Sequence, residues 1–252
     1  MEYQQRTYRD HLKEGRWRSF TCKVKETDLW IGVDTASYQP EMVAFTEEIV
    51  RRLREEMETY LATDKEYTQA LCPYTPDESA PAILQEMATA ARQAGIGPMS
   101  AVAGAVAQRV GQAIRQKFAT REVIVENGGD IYADIREDMD IAVFAGPSPL
   151  SDRVGVQVPA EFSPLGICTS SGTVGPSLSF GKADAVMIIC KECALADAYA
   201  TAFANTIQES GDIPVCVEKL EKEKDILSAI CIKDDKVGIC GKFKLKLFNH
   251  DH

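Results

Sequence analysis

The stretch Cys193-Ala-Leu-Ala-Asp-Ala-Tyr-Ala-Thr-Ala-Phe-Ala-Asn205 decides how the rest of the chain is read. Between Glu192 and Glu209 its only charged residue is Asp197. A helix on a protein surface carries charges along its outer face, so this one is expected to be largely buried. Leu195, Tyr199 and Phe203 recur at i, i+4 and i+8 on one side, and Asp197, Thr201 and Asn205 recur at the same spacing on another. A carboxylate and a hydroxyl therefore share a buried face, and a buried carboxylate needs a partner. A divalent cation bridging to phosphate would serve, because Mg²⁺ takes one or two protein oxygens and completes its shell with phosphate and water. An Asp that caps a loop or pairs with an arginine would account for the same pattern.

One strand upstream lies Leu165-Gly-Ile-Cys-Thr-Ser-Ser-Gly-Thr-Val-Gly-Pro176. A strand over residues 165–169 runs into Thr169-Ser170-Ser171-Gly172-Thr173. Hydroxyls and glycines together offer O–H and N–H donors that hold an anion without cationic side chains. A plain Ser/Thr-rich turn has the same composition. Further upstream, Glu126-Asn-Gly-Gly-Asp-Ile-Tyr-Ala-Asp134 sets Gly128-Gly129 between two strands, with Asn127 and Asp130 flanking. Two glycines there let a ligand approach the backbone or form a hairpin turn.

The remaining elements follow from periodicity. Strands are expected over residues 16–25 and 29–34, joined at Glu26-Thr27-Asp28. Pro40 opens an amphipathic helix to about residue 61, with Met42, Phe45, Ile49, Leu53, Met57 and Tyr60 at spacings of three and four. Residues 62–81 read as a loop containing Pro73, Pro76 and Pro81. A helix over 82–94 ends at Gly95-Ile96-Gly97-Pro98, and a third helix, rich in Ala and Gly, covers 99–118. Strands are expected over 123–125, 131–135, 141–144, 154–158, 165–169 and 185–189. The buried helix should run from 194 to about 208. A charged helix over 218–225 and strands over 226–232 and 237–247 close the chain. The pattern is an α+β fold with antiparallel sheets, read as one domain over 1–252. Its halves, 1–150 and 151–252, each suggest a strand–helix–strand unit.

Of the 252 residues 45% are hydrophobic, enough for a sizeable core. The formal net charge of −10 excludes nucleic acid as a partner, because no basic field offsets a phosphate backbone. The polar start, Met1-Glu2-Tyr3-Gln4-Gln5-Arg6, has no apolar signal core, and no run approaches the length of a spanning helix. A cytoplasmic protein with no membrane partner is expected. His11, His250 and His252 lie near the termini, poorly placed for a Ser/His or Cys/His nucleophile. Among eight cysteines only Cys190-Lys-Glu-Cys193 has motif spacing, with no second pair to complete a zinc site. It reads as structural or as a redox pair.

The three segments, in this order, resemble the ApbE superfamily of FAD:protein FMN transferases and their relatives. The matching elements are Asn127-Gly128-Gly129-Asp130, Thr169-Ser170-Ser171-Gly172 and Ala196-Asp197-Ala198-Tyr199-Ala200-Thr201-Ala202. The resemblance covers roughly residues 95–207. It implies a two-lobed α+β fold that binds FAD, with Mg²⁺ held by Asp197 and Thr201. The flavin would meet Asn127, Gly128, Gly129, Asp130, Thr169, Ser170, Ser171, Gly172 and Thr173. Transferases of the family move FMN from FAD to a Thr or Ser of an acceptor protein and release AMP. With the large Ala/Gly helices, the resemblance also implies a homodimer. The chain departs from the family in two places. The Lys and Asp of the A-K-G-x-A-x-D element are missing where Ala103-Gly104-Ala105-Val106-Ala107-Gln108 stands. The His of the H-x-I-D-P-x-T-G element is missing as well, and only Gly175-Pro176-Ser177 hints at it. Three functions follow: a Mg²⁺-dependent flavin-binding or FMN-transferring enzyme; a non-catalytic flavin binder or partner protein in sulfur (homocysteine) metabolism; or a thiol protein using Cys190 and Cys193.

Overall fold

Alternating burial along the strands sets the layers. The structure is a computed structural model and describes residues 15–172 and 180–248. Strands β1 (Trp17–Val24), β2 (Thr27–Asp34), β3 (Val123–Asn127), β4 (Asp130–Asp134), β7 (Leu165–Ser170), β8 (Ala185–Cys190), β9 (Ser228–Lys233) and β10 (Lys236–Gly241) form one antiparallel sheet in that spatial order. Strands β5 (Met139–Ala142), β6 (Val154–Val158) and β11 (Lys244–Leu247) form a second, three-stranded sheet. Strand β8 is buried at all six positions. Its Val186, Ile188 and Cys190 face a core shared with the helices, and its Ala185, Met187 and Ile189 face a core shared with the small sheet. A strand covered on both faces needs a continuous apolar run, and Ala185-Val-Met-Ile-Ile-Cys190 is one. The result is three layers: helices, large sheet, small sheet.

The order hairpin, helices, hairpin occurs twice. Between β2 and β3 come α1 (Glu41–Thr63), α2 (Lys65–Gln69), α3 (Ala82–Ala94) and α4 (Val102–Phe118). Between β8 and β9 come α5 (Cys193–Ala204) and α6 (Ile213–Leu220). All strand pairs are antiparallel. This is the expected α+β class with helices packed on antiparallel sheets.

The structure corrects several boundaries. The β1–β2 turn is Lys25-Glu26, with Lys25 at φ 53°, so Thr27 and Asp28 belong to the strand. Residues 62–81 contain α2. Asp64 accepts the Tyr67 N–H at 3.0 Å as its N-cap, and the fully buried Tyr67 hydroxyl donates to the Leu84 carbonyl at 2.7 Å. The helix expected to reach 208 stops at Ala204, where the chain turns back. The one expected over 218–225 is α6, starting earlier with Pro214 in its first turn. There Ile213, Cys216 and Leu220 supply the buried face. The last expected strand divides at Gly241 (φ 100°): β10 extends the large sheet and β11 joins the small one.

Helix α5 is the centre of the assembly. Every residue of it except Ala202 is buried, as its lack of charge demands. It packs on β7 and β8 beside α4, which covers β3 and β4, and a glycine on each side permits the approach. A Cβ on Gly166 of β7 would stand 2.3 Å from Cys193 Cα, and one on Gly104 of α4 would stand 2.5 Å from the Cys193 carbonyl oxygen. Among the described residues no helix is long and apolar enough to cross a membrane.

Candidate functional site

Helices α4 and α5 run antiparallel at this close approach, and each satisfies the other's start. The Gly104 N–H donates to Asp197 Oδ2 at 2.9 Å, and the Ala103 N–H also acts on that carboxylate. In return the Cys193 N–H, in the first turn of α5, donates to Gln108 Oε1 at 2.7 Å. The first-turn N–H groups of a helix have no partner within it, so both bonds fill real vacancies. Gln108 Nε2 also donates to Glu192 at 2.7 Å and to Glu86 at 3.1 Å, and Arg109 pairs with Glu86 at 2.7 Å. Asp197 thus caps a helix rather than a loop.

The β3–β4 hairpin delivers the second carboxylate. Gly128 (φ 70°) and Gly129 (φ 108°) form the two-residue turn, with Asn127 paired to Asp130 across it. Glu126 Oε1 accepts the Gly129 N–H at 2.8 Å, and Asn127 Nδ2 donates to the Ala103 carbonyl at 3.1 Å, tying the turn to the start of α4. Asp130 is 7% exposed, as is Asp197, and its Oδ1 is buried without a hydrogen-bond partner. Burial raises Asp130 well above the usual carboxylate range, and the Asp197 charge raises it further, against smaller opposing effects of Cys168 and the Thr169 N–H. Burial likewise pushes Asp197 up to about 7, although the two N–H groups of α4 oppose it. Two buried carboxylates that feel each other's charge disfavour double ionisation, and a cation joining them would relieve it.

Hydroxyls complete the cluster. Thr201, one turn beyond Asp197, donates to Ser170 Oγ at 3.4 Å, and both residues are buried. Of the expected site residues, Asn127, Asp130, Ser170, Asp197 and Thr201 lie on this side of the sheet, and Thr169 contributes its backbone N–H. Gly128 and Gly129 serve the turn. Ser171 and Gly172 bond across to the segment leading into β8, both donating to the Ala183 carbonyl, at 3.3 and 2.9 Å. Thr173, the segment Gly175-Pro176-Ser177 and all three histidines lie outside the described residues. The sequence reading missed Gly104 and Gln108 as the groups that hold α5. It also missed Cys168, whose Sγ is 3.6 Å from Cys193 Sγ. A signal existed for Gly104 alone, as a small residue in a helix packed against an Ala-rich partner.

The donor chemistry fits a hard divalent cation. Asp130 and Asp197, which feel each other's charge, and the hydrogen-bonded Thr201 and Ser170 hydroxyls are all more than nine-tenths buried, and one Asp130 oxygen has no partner. Among the described residues no three His, Cys, Asp or Glu side chains have the placement for a metal site, so hydroxyl, backbone, water or phosphate oxygens would complete the shell. The Cys190 and Cys193 thiols do not suit nucleophilic work. Cys193 packs on Cys168, both are fully buried, and burial raises Cys168, Cys190 and Cys193 away from thiolate formation. The clefts of about 460 and 450 Å³ along α1 are lined by surface charges such as Arg52, Glu55 and Arg54 and include none of the cluster.

Fold and cluster together define an ApbE-like α+β protein. The chain is similar to the apo crystal structure of the flavinyl transferase ApbE of Pseudomonas stutzeri, with a TM-score of 0.56 at 15% identity, covering 92% of this chain and 94% of that one. It is also similar to the ApbE protein of Thermotoga maritima, with a TM-score of 0.54 at 14% identity over 85% and 94% of the two chains. At such identities the likeness establishes the fold. Residues 9–231 match the family described as AbpE bacteria, and the chain belongs to that family. Its relatives include a UPF0280 protein of Methanocaldococcus jannaschii, 37% identical over 231 residues (90% of this chain, 91% of the relative). Another is a UPF0280 protein of Methanosarcina acetivorans, 35% identical over 221 residues (87% and 85%).

Proposed function

We propose that this protein binds a flavin nucleotide, FAD, together with Mg²⁺ at the Asp130–Asp197 cluster. The observation that carries the reading is the unpartnered Asp130 oxygen beside a second buried carboxylate. A buried polar atom without a partner calls for an explanation, and a bound cation supplies one. The likeness to flavinyl transferase ApbE supplies the ligand class.

Asp130, Asp197 and Thr201 would hold the cation, with Ser170 behind Thr201. Bound there, Mg²⁺ supplies the positive charge that an acidic chain needs to receive a diphosphate. The rest falls to this chain's own groups. The first turn of α4 fixes the Asp197 carboxylate through the Gly104 N–H. Asn127 holds the hairpin, and with it Asp130, against α4. Gly128 and Gly129, lacking side chains, leave the rim open to a ligand. Ala103 and Gln108 stand in the element where transferases carry their Lys and Asp, so the reading rests on binding, with FMN transfer to an acceptor protein as its extension.

Equilibrium binding of FAD with and without Mg²⁺ tests it, on the wild type, Asp197→Ala and Asp130→Asn. Metal-dependent binding by the wild type, lost in both variants, is expected; AMP release from bound FAD would add the transfer step. A wild type that binds no FAD at near-millimolar concentration would overturn the reading.

A further inference from the structure

We infer that Phe180 is a stacking platform for a ring of the bound nucleotide, an inference that rests on the reading just given. Phe180 is 60% exposed, yet its backbone is held on both sides. Its N–H donates to Asn205 Oδ1 at 2.8 Å, and its carbonyl accepts from Gln208 Nε2 at 2.9 Å. The next residue, Gly181, is pressed on the end of α5 so closely that a Cβ would stand 1.9 Å from the Ala204 carbonyl oxygen. The Lys182 N–H donates to the Ile207 carbonyl at 2.7 Å, and the Gly172 N–H to that of Ala183 at 2.9 Å. An apolar ring on so fixed a backbone is preorganised to receive a flat partner.

Its position relative to the cluster gives the ligand. Asn205 lies on the same line of α5 as Asp197 and Thr201, at i+8 and i+4. At 1.5 Å per residue it is about 12 Å along the axis from Asp197. Phe180 therefore stands at the far end of the line that begins with the proposed cation ligand. That separation suits a dinucleotide whose diphosphate meets the cation and whose ring reaches outward. An aromatic face accepts any flat base, isoalloxazine or adenine.

The test uses the full chain with Mg²⁺ and compares the wild type, Phe180→Ala and Phe180→Trp. The ligands are FAD, FMN, ADP and inorganic pyrophosphate. The expected result is about ten-fold weaker FAD binding in Phe180→Ala, the weight of one stacked ring. Pyrophosphate binding should be unchanged, and Phe180→Trp should retain FAD affinity. The FMN and ADP arms tell which ring is stacked: only the one carrying it loses affinity. Unchanged FAD binding in Phe180→Ala would overturn the inference while leaving the proposed function intact. Equal loss of pyrophosphate binding would also overturn it, by showing a structural effect. A wild type that binds pyrophosphate and Mg²⁺ but no ringed nucleotide would refute both.

Discussion

Replacing Gly104 by alanine tests the packing on which the candidate site depends, with no ligand required. In an isolated helix the change stabilises by about 1 kcal/mol, because glycine is a poor helix former. Here the new Cβ would lie 2.5 Å from the Cys193 carbonyl oxygen, 2.9 Å from the Cys193 carbonyl carbon and 2.9 Å from Asp197 Cβ. The closest of these is about 0.9 Å short of ordinary van der Waals contact, and two of the three atoms are backbone, which no rotamer change can move. Helices α4 and α5 must separate, lengthening the Gly104–Asp197 and Cys193–Gln108 bonds together. Overpacking of this kind costs about 1–3 kcal/mol, and weakened caps add to it. The net expectation is a loss of about 1–3 kcal/mol, or roughly 2–10 °C in melting temperature for a chain of this size. Thermal and urea unfolding of the Gly104→Ala variant measure it. A variant as stable as the wild type, or more so, would mean that the two helices do not meet as described.

Three further outcomes are expected. Asp197 and Asp130 titrate above their unfolded value of 3.8, so the folded chain holds protons that the unfolded chain has released. Their contribution is present in acid and lost as pH rises to about 7 and beyond, a window above that of the depressed Asp34 and Glu122. With chelator present, stability should fall across it; Asp130→Asn should flatten the slope and gain stability at pH 8, which melting curves over pH will show. Iodoacetamide on the native protein should label Cys72, the exposed thiol, and reach the buried seven only in denaturant; rapid peptide-mapped labelling at Cys190 or Cys193 would restore the thiol reading. Gln108→Glu keeps the acceptor for the Cys193 N–H but removes the donors to Glu86 and Glu192 and adds a third carboxylate. A loss of about 2–4 kcal/mol at pH 8, partly recovered at pH 5, is expected from urea unfolding, exceeding the loss in Gln108→Ala.

Burial and periodicity were legible in the sequence wherever one physical cause dominates. The charge-free run from Cys193 to Asn205 reads as an interior helix because no surface helix is built that way, and the α1 and α3 patterns are equally plain. What escaped depends on distant contacts. Helix α2 is too short for periodicity and exists because Tyr67 is buried under Leu84. The break at Gly241 follows from two sheets competing for one run of alternating residues. The end of α5 is set by the segment around Gly181 packing on it. At the candidate site, sequence spacing placed Asp197 and Thr201 on one face but could not say what they face. That Asp130 comes from the other half of the chain, that α4 begins at Asp197, and that Cys193 meets Cys168 are facts of the sheet order.

The capping role of Asp197 does not remove the need for a ligand. One carboxylate has about four acceptor positions, and the cap uses part of that capacity. If capping were the whole purpose, the two N–H groups should hold Asp197 ionised; burial instead outweighs them and pushes it up to about 7. Asp130 is harder still to explain by structure. It sits across from Asn127 in a hairpin whose turn is made by the two glycines, and the turn requires no carboxylate there. Yet its charge opposes that of Asp197, and its buried oxygen forgoes a bond worth about 1–3 kcal/mol. The Thr169 N–H and Cys168 offset only part of that cost, and a side chain kept at a net cost to the fold is the mark of a functional position. The consequence is a trade specific to that one residue: Asp130→Asn should make the metal-free protein more stable near neutral pH while abolishing its response to Mg²⁺. A merely structural carboxylate could not produce both effects.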